Sequence, residues 1–291
     1  MAQVMRGETV APRTMGDFLR DFEEQNLGDL NLFLSVQAKS YRAQLEKMLK
    51  KQHKPSLAPH LSIDSTSHVQ HGLKMEGLAY NYKDEWCLDS QVIFDELGFC
   101  WDMELRPGNT KSGVGASRQI RRAFSSYKFK DEKYLSADSA FCNQDTMTTC
   151  IGLGVNFTIT ANQATTGWEN HIQEIAKWEP YTYTAAEREL AIVQERSLPE
   201  IDLGRFYWQP SWNETLRLPV VVKRQKYGKE EQMVLGQGEY KYYGIVTNHP
   251  LLEWSLQEIV EHHNKRGNAE NFIREEKYGY DLKHFPCFAF C

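Results

Sequence analysis

From Thr14 to about Lys51 apolar side chains recur three and four residues apart, with Phe18, Leu19 and Phe22 followed by Leu30, Phe33, Leu34, Ala38, Tyr41, Leu45 and Met48. That period is helical, and Asn26–Gly28 interrupts it, which predicts two helices joined there. The charged, proline-bearing run KKQHKPSLAPH closes this arm near Pro59. Beyond it the period shortens to two. Strands are predicted at 61–66, 76–82, 87–96 and 100–108, then an amphipathic helix at 117–127, a strand and turn at 133–141, a glycine-capped helix at 144–154 and a strand at 155–160. A Trp- and Tyr-rich stretch over 163–247 breaks this alternation and holds two further strand patterns, LPVVVKRQKYG and EYKYYGIVTN, with a turn around Tyr227–Lys229. One long helix is predicted from Leu252 to about Tyr278.

Strands first, then helix, strand, helix and strand, is the order of a ribonuclease-H-like sheet. The predicted fold is therefore α/β, a ribonuclease-H-like mixed sheet flanked by helices, with an inserted β-rich subdomain and an N-terminal helical arm. The arm takes residues 1–58, the first part of the core 59–162, the insertion 163–247, and the second part of the core 248–291. With 41% hydrophobic and 25% charged residues the chain is an ordinary folded one. No apolar run approaches the roughly 20 residues that span a bilayer, and the N-terminus MAQVMRGETVAPRT lacks the apolar stretch of a signal peptide, which implies a cytoplasmic protein without a membrane partner. Six cysteines show no paired spacing and read as reduced thiols. Cys287 with Cys291, and His68 with His71, each supply at most half a zinc site and are set aside. A net charge of −5 excludes a protein basic all over but leaves room for a local basic face.

Candidate chemistry begins with two acids. Asp64 in SIDSTS and Asp138 in LSADSAF each follow apolar strand residues, and carboxylates at the C-terminal ends of neighbouring strands project into one crevice. Either acid alone is equally a turn former or a helix cap. A third, Glu270, has Arg266 four residues before it, Lys277 seven after and His263 seven before. On one continuous helix these four share a face, a carboxylate flanked by cations, although a solvated salt-bridged surface has the same pattern. Between Arg106 and Lys130 the chain carries Arg106, Lys111, Arg118, Arg121, Arg122, Lys128 and Lys130. This is either a patch for DNA phosphates, with Arg118, Arg121 and Arg122 as its contacts, or a solvated helix face.

Together the blocks IDSTSHVQHG, LRPGNTKSG, YLSADSAF, IVTNHP and NKRGNAENFIREEKYGYDLKHFP resemble the DDE transposases of bacterial insertion sequences, in the cut-and-paste group with a β-rich insertion before the catalytic Glu. The likeness runs from about Pro12 to the C-terminus. That group carries a Tyr, Arg, Glu, Lys signature with two, three and six residues between successive members; Arg266, Glu270 and Lys277 match it and His263 stands at the Tyr position. The resemblance implies that Asp64, Asp138 and Glu270 hold two Mg2+ ions, with Mn2+ able to substitute, and that Arg266, Lys277 and His263 lie along the DNA. It implies cleavage of double-stranded DNA at insertion-sequence ends and strand transfer to a target, by a homodimer in the synaptic complex. One of Trp168, Trp178, Trp208 and Trp212 would stack on a displaced base. The chain reads as a truncated or partial copy, and its alternatives are a degenerate transposase that binds DNA without cutting and a host nuclease of the same fold.

Overall fold

A computed structural model describes residues 24–53, 58–72, 74–125, 132–227 and 239–279. Helix α1, Glu24–Lys51, runs unbroken through Asn26–Gly28, so the expected joint between two helices is not there. One internal glycine costs only about 1 kcal/mol relative to alanine, which the packing of a 28-residue helix outweighs. The stretch holding Phe18, Leu19 and Phe22 lies outside the described residues. Asn31, Ser35, Ala38 and Arg42 recur along one side of α1. Asn31 accepts from the Met103 N–H at 3.1 Å, and the fully buried Arg42 reaches Glu96 at 2.6 Å and Asp95 at 3.4 Å.

Among the described residues ten strands form one mixed sheet. In chain order they are β1 (His60–Val69), β2 (Ala79–Tyr80), β3 (Trp86–Asp95), β4 (Cys100–Pro107), β5 (Lys133–Ala137), β6 (Val155–Thr160), β7 (Glu179–Pro180), β8 (Ile201–Trp208), β9 (Leu218–Lys226) and β10 (Tyr240–Thr247). Across the sheet the order is β2-β3-β1-β5-β6-β10-β9-β8-β7, and β4 pairs with β3. β3 lies antiparallel to β1 and β4, while β1, β5 and β6 are mutually parallel. From β6 outward every pairing is antiparallel. Among the described residues the β-rich stretch 163–247 therefore makes no sheet of its own. Its strands extend the central sheet, with Val246 opposite Ile159 at the joint.

The two faces of the sheet differ in chemistry because strand residues alternate sides. Leu61, Ile63, Leu135, Ala137, Phe157 and Ile159 build the main apolar cluster. Against that face pack α2 (Ala116–Ser125), which buries Ala116, Gln119, Ile120, Ala123 and Phe124 at helical spacing, and α3 (Gln144–Gly152). Two short helices, α4 (Gln163–Thr166) and α5 (Ala185–Val193), lie between β6 and β8. The opposite face carries the polar positions Ser62, Asp64, Ser136 and Thr158 and is covered by α6 (Leu256–Asn264) and α7 (Gly267–Gly279). The single long helix expected from Leu252 to Tyr278 is thus two. Ser255 and Glu258 start α6 with a capping box, and turns at Lys265 and Arg266 end it. Asn264 and Gly267 are poor helix formers, and the break falls between them.

Candidate catalytic site

Parallel pairing of β1 with β5 ends at Ile63 opposite Ala137, so Asp64 and Asp138 are the next residue on each strand. Neighbouring strands stand about 4.8 Å apart, and the two carboxylates are adjacent in register. Asp138 follows the last residue of β5, as a strand-end acid should. Asp64 does not end its strand: β1 continues to Val69 on the support of β3 alone. Each carboxylate is held by a backbone donor just downstream. Asp64 Oδ1 accepts from Ser65 N–H at 2.8 Å, and Asp138 Oδ1 accepts from Ala140 N–H at 2.9 Å while capping the 3-10 turn Ser139–Phe141. Burial, together with the charges of Asp138 and Glu270, pushes the Asp64 carboxyl up to about 6 against the opposing pull of Ser65 N–H and Arg266. These residues come from three separate parts of the chain and lie within electrostatic reach of one another.

Glu270 arrives on α7, whose footing is apolar. Ala269 and Ile273 are buried, and Ile273 and Phe272 pack on Val92 and Phe94 of β3. Val92 is the register partner of Asp64, which sets α7 on the same face as that acid. Gly98 fits beneath Phe272: it has φ +87° and an added Cβ would lie 2.9 Å from the ring. The Glu270 side chain is 64% exposed and stands 3.6 Å from Arg266 Nη2. Lys277 Nζ donates to Ser67 O of β1 at 2.7 Å, tying the far end of α7 to the strand that bears Asp64. Among the described residues no group of three His, Cys, Asp or Glu side chains is close enough to hold a metal ion. Asp64 and Asp138 nonetheless suit a hard divalent cation, since they are adjacent oxygen donors whose mutual repulsion such an ion would relieve.

His263 leaves the expected stripe because the break after α6 places it on a different helix. Its ring is 2% exposed, with Nε2 3.1 Å from Thr160 Oγ1 and from Tyr243 OH and Nδ1 3.2 Å from Thr158 O. Burial, with the Arg266 charge, pushes it down to about 4. The basic segment is likewise answered by acids distant in sequence. Arg106 is buried and paired with Asp89, Arg118 meets Glu104, and Arg122 binds Asp102 through two hydrogen bonds of 2.7 Å. Arg121 donates to Thr149 Oγ1 at 3.1 Å; Lys128 and Lys130 lie outside the described residues, as do Cys287 and Cys291. Trp168 and Trp208 are core side chains. The Trp178 ring is taken up by the Arg224 guanidinium at 4.2 Å, and Trp212 packs half-buried against the main cluster. His68 is buried with Nε2 2.7 Å from Ser90 Oγ.

The class defined so far is an α/β protein with acids converging at the end of a parallel strand pair under a helix. The family follows from comparison: residues 16–291 match the family described as "Transposase DDE domain group 1", and the chain belongs to that family of DDE transposases. No curated protein matches the chain. No helix among the described residues is long and apolar enough to cross a membrane. The backbone donors Ser65 and Ala140 were missed in the sequence. The Asp-Ser-Ala run after β5 carried a capping signal for Asp138, whereas nothing local marks Ser65.

Proposed function

We propose that this transposase cuts double-stranded DNA at insertion-sequence ends and transfers the freed strands to a target, with Asp64, Asp138 and Glu270 as the acids that hold the divalent cations. The adjacency of Asp64 and Asp138 at the end of the β1–β5 pair carries this reading. The strand order β4-β3-β1-β5-β6, antiparallel then parallel, supports a ribonuclease-H-like core over 59–162 and 248–291, with 163–247 as the insertion. Two Mg2+ ions, or Mn2+ in their place, supply stabilisation of the entering and leaving oxygens of a phosphodiester when bound. Asp64 and Asp138 offer adjacent oxygen donors, and backbone N–H groups fix one oxygen of each. Glu270 approaches from α7, and Arg266 beside it faces the DNA phosphates. No side-chain nucleophile is required. Water attacks the phosphodiester at the element's end and the P–O3′ bond breaks to free a 3′-hydroxyl; that hydroxyl attacks a target phosphodiester, forming a new P–O bond as the target's own 3′ oxygen leaves. Joining two ends calls for a homodimer, and the cytoplasm supplies the DNA.

The test is nicking of end-containing duplex in Mg2+ or Mn2+. Wild type should nick, and Asp64→Asn, Asp138→Asn and Glu270→Gln should each lower the rate by at least about a hundredfold with the fold intact. Nicking that survives all three substitutions would remove the acids from the reaction, and nicking without joining would mark a nuclease.

A further inference from the structure

The block LRPGNTKSG leads from β4 into the segment 108–115, whose side chains the proposed reaction does not use. Three strands converge on it. Ser65 Oγ on β1 donates to Ser112 Oγ at 2.6 Å. The Ser112 carbonyl accepts from Gln91 Nε2 on β3 and from Arg106 Nη1 on β4, the latter at 3.4 Å. Arg106 also donates to Val114 O at 2.7 Å and is itself anchored by Asp89. At Gly113 there is no room for a side chain, because an added Cβ would stand 2.8 Å from Ala140 O and 2.8 Å from Asn143 Nδ2.

The hydrogen bond of Ser112 and the close approach of Gly113 fall on a particular pair of residues. Ser65 supplies the N–H that holds Asp64, and Ala140 supplies the N–H that holds Asp138. Ser112 is therefore hydrogen-bonded to the support of one carboxylate, and Gly113 passes too close to the carbonyl of the support of the other to carry a side chain. We propose that Ser112 and Gly113 form a strap that sets the spacing of the Asp64 and Asp138 carboxylates, which makes them positioning residues for the cation site. The inference rests on the reading of those acids given above. It explains why a serine is followed there by a residue without a side chain, since a shift of either residue moves one carboxylate relative to the other.

Mn2+ binding to the DNA-free protein, followed by electron paramagnetic resonance, tests this without turnover. Ser112→Ala and Gly113→Ala should each weaken Mn2+ binding about tenfold, the usual cost of losing a residue that orients a ligand. Both should raise the Mg2+ concentration for half-maximal nicking in step with duplex affinity unchanged; Ser112→Ala should keep the wild-type melting temperature, whereas Gly113→Ala should melt lower because its Cβ meets the Ala140 carbonyl. Ser112→Thr, which keeps the hydroxyl, and Val114→Ser, at a side chain 57% exposed, should behave as wild type. If Gly113→Ala does not fold, the contrast between Ser112→Ala and Ser112→Thr decides. Wild-type Mn2+ affinity in Ser112→Ala, or an equal loss in Val114→Ser, would overturn the strap alone. Absence of Mn2+ binding and of nicking in the wild type would overturn the carboxylate site and the strap with it.

Discussion

Asp64 is the residue on which the site's electrostatics turn. Its carboxyl is half-buried, beside one carboxylate in register and within reach of another, and ionises at about 6 instead of near 3.8. An acid raised in the native state holds a proton there that the unfolded chain has already released, so stability falls as pH rises from 3.8 to about 6 and the penalty is constant above that. In metal-free buffer at pH 8, Asp64→Asn should therefore melt about 3 °C higher than wild type, a figure discounted for the partial exposure of the group. The gap should close as pH falls toward 4. Added Mn2+ should stabilise the wild type but not the variant, because binding to the native state alone adds to its stability; a variant that melts lower than wild type at pH 8 would contradict the penalty. Both strand acids were legible in the sequence, since each interrupts an apolar alternation with a charge followed by small polar residues. Their supports were not. Which N–H reaches a carboxylate depends on the turn that follows it, and the contact of Ser65 with Ser112 joins segments that share no local pattern.

At the scale of elements, the break between α6 and α7 decides which histidines and cations face the site. The apolar period runs through Lys265 and Arg266 and suggested one helix; the cost of Asn264 and Gly267 fell at the point where the chain must leave β6 and reach β1. One result is a buried aromatic cluster that docks α6. His262 stacks on His60 with centroids 4.0 Å apart and meets Tyr134 edge-on, and His249 lies against Trp254 at 4.3 Å. Burial pushes His262 down to about 3 and His249 to about 4, and keeps His60 well below the ordinary range. With His263 that makes four histidines neutral in the native protein. The unfolded chain protonates them near 6.5, so their contribution is complete above that pH and is lost as pH falls from 6.5 toward 4. Asp64 and the buried, raised carboxyls of Asp89, Asp95 and Asp102 pull the other way, and the histidines set the trend just below 6.5, where the unfolded chain takes up its imidazole protons. Stability should accordingly fall steeply between pH 6.5 and 5. His262→Phe keeps a ring in the stack and removes one titrating group, so it should flatten that fall by about 1.4 kcal/mol per pH unit. Denaturant unfolding at a series of pH values measures the slope, and an unchanged slope would take His262 out of the account.

Across the whole molecule the sheet is continuous, and that continuity was the least legible property of the chain. Strands 218–226 and 240–247 are readable one by one from their sequence, strand 201–208 was missed within the Trp- and Tyr-rich stretch, and the pairing of β10 with β6 spans more than eighty residues and leaves no periodic trace. The joint is tightly filled. Gly244 on β10 faces Trp168, and an added Cβ would lie 2.9 Å from Trp168 Cδ2 and 3.0 Å from Ala161 Cβ. Trp168 belongs to the same buried cluster as Ile63, Ile159, Phe206 and Val222, so the parallel strands and their antiparallel extension share one core. A shared core predicts one cooperative unfolding event in calorimetry. Gly244→Ala overpacks the joint and should cost about 1–3 kcal/mol. Because β8, β9 and β10 also bury one side in the main cluster, beside a second cluster of Leu203, Val221 and Ile245 under α6, the loss should lower a single transition for the whole chain. Two transitions, with only one of them moved by Gly244→Ala, would mean that residues 163–247 fold independently of the strands that carry Asp64 and Asp138.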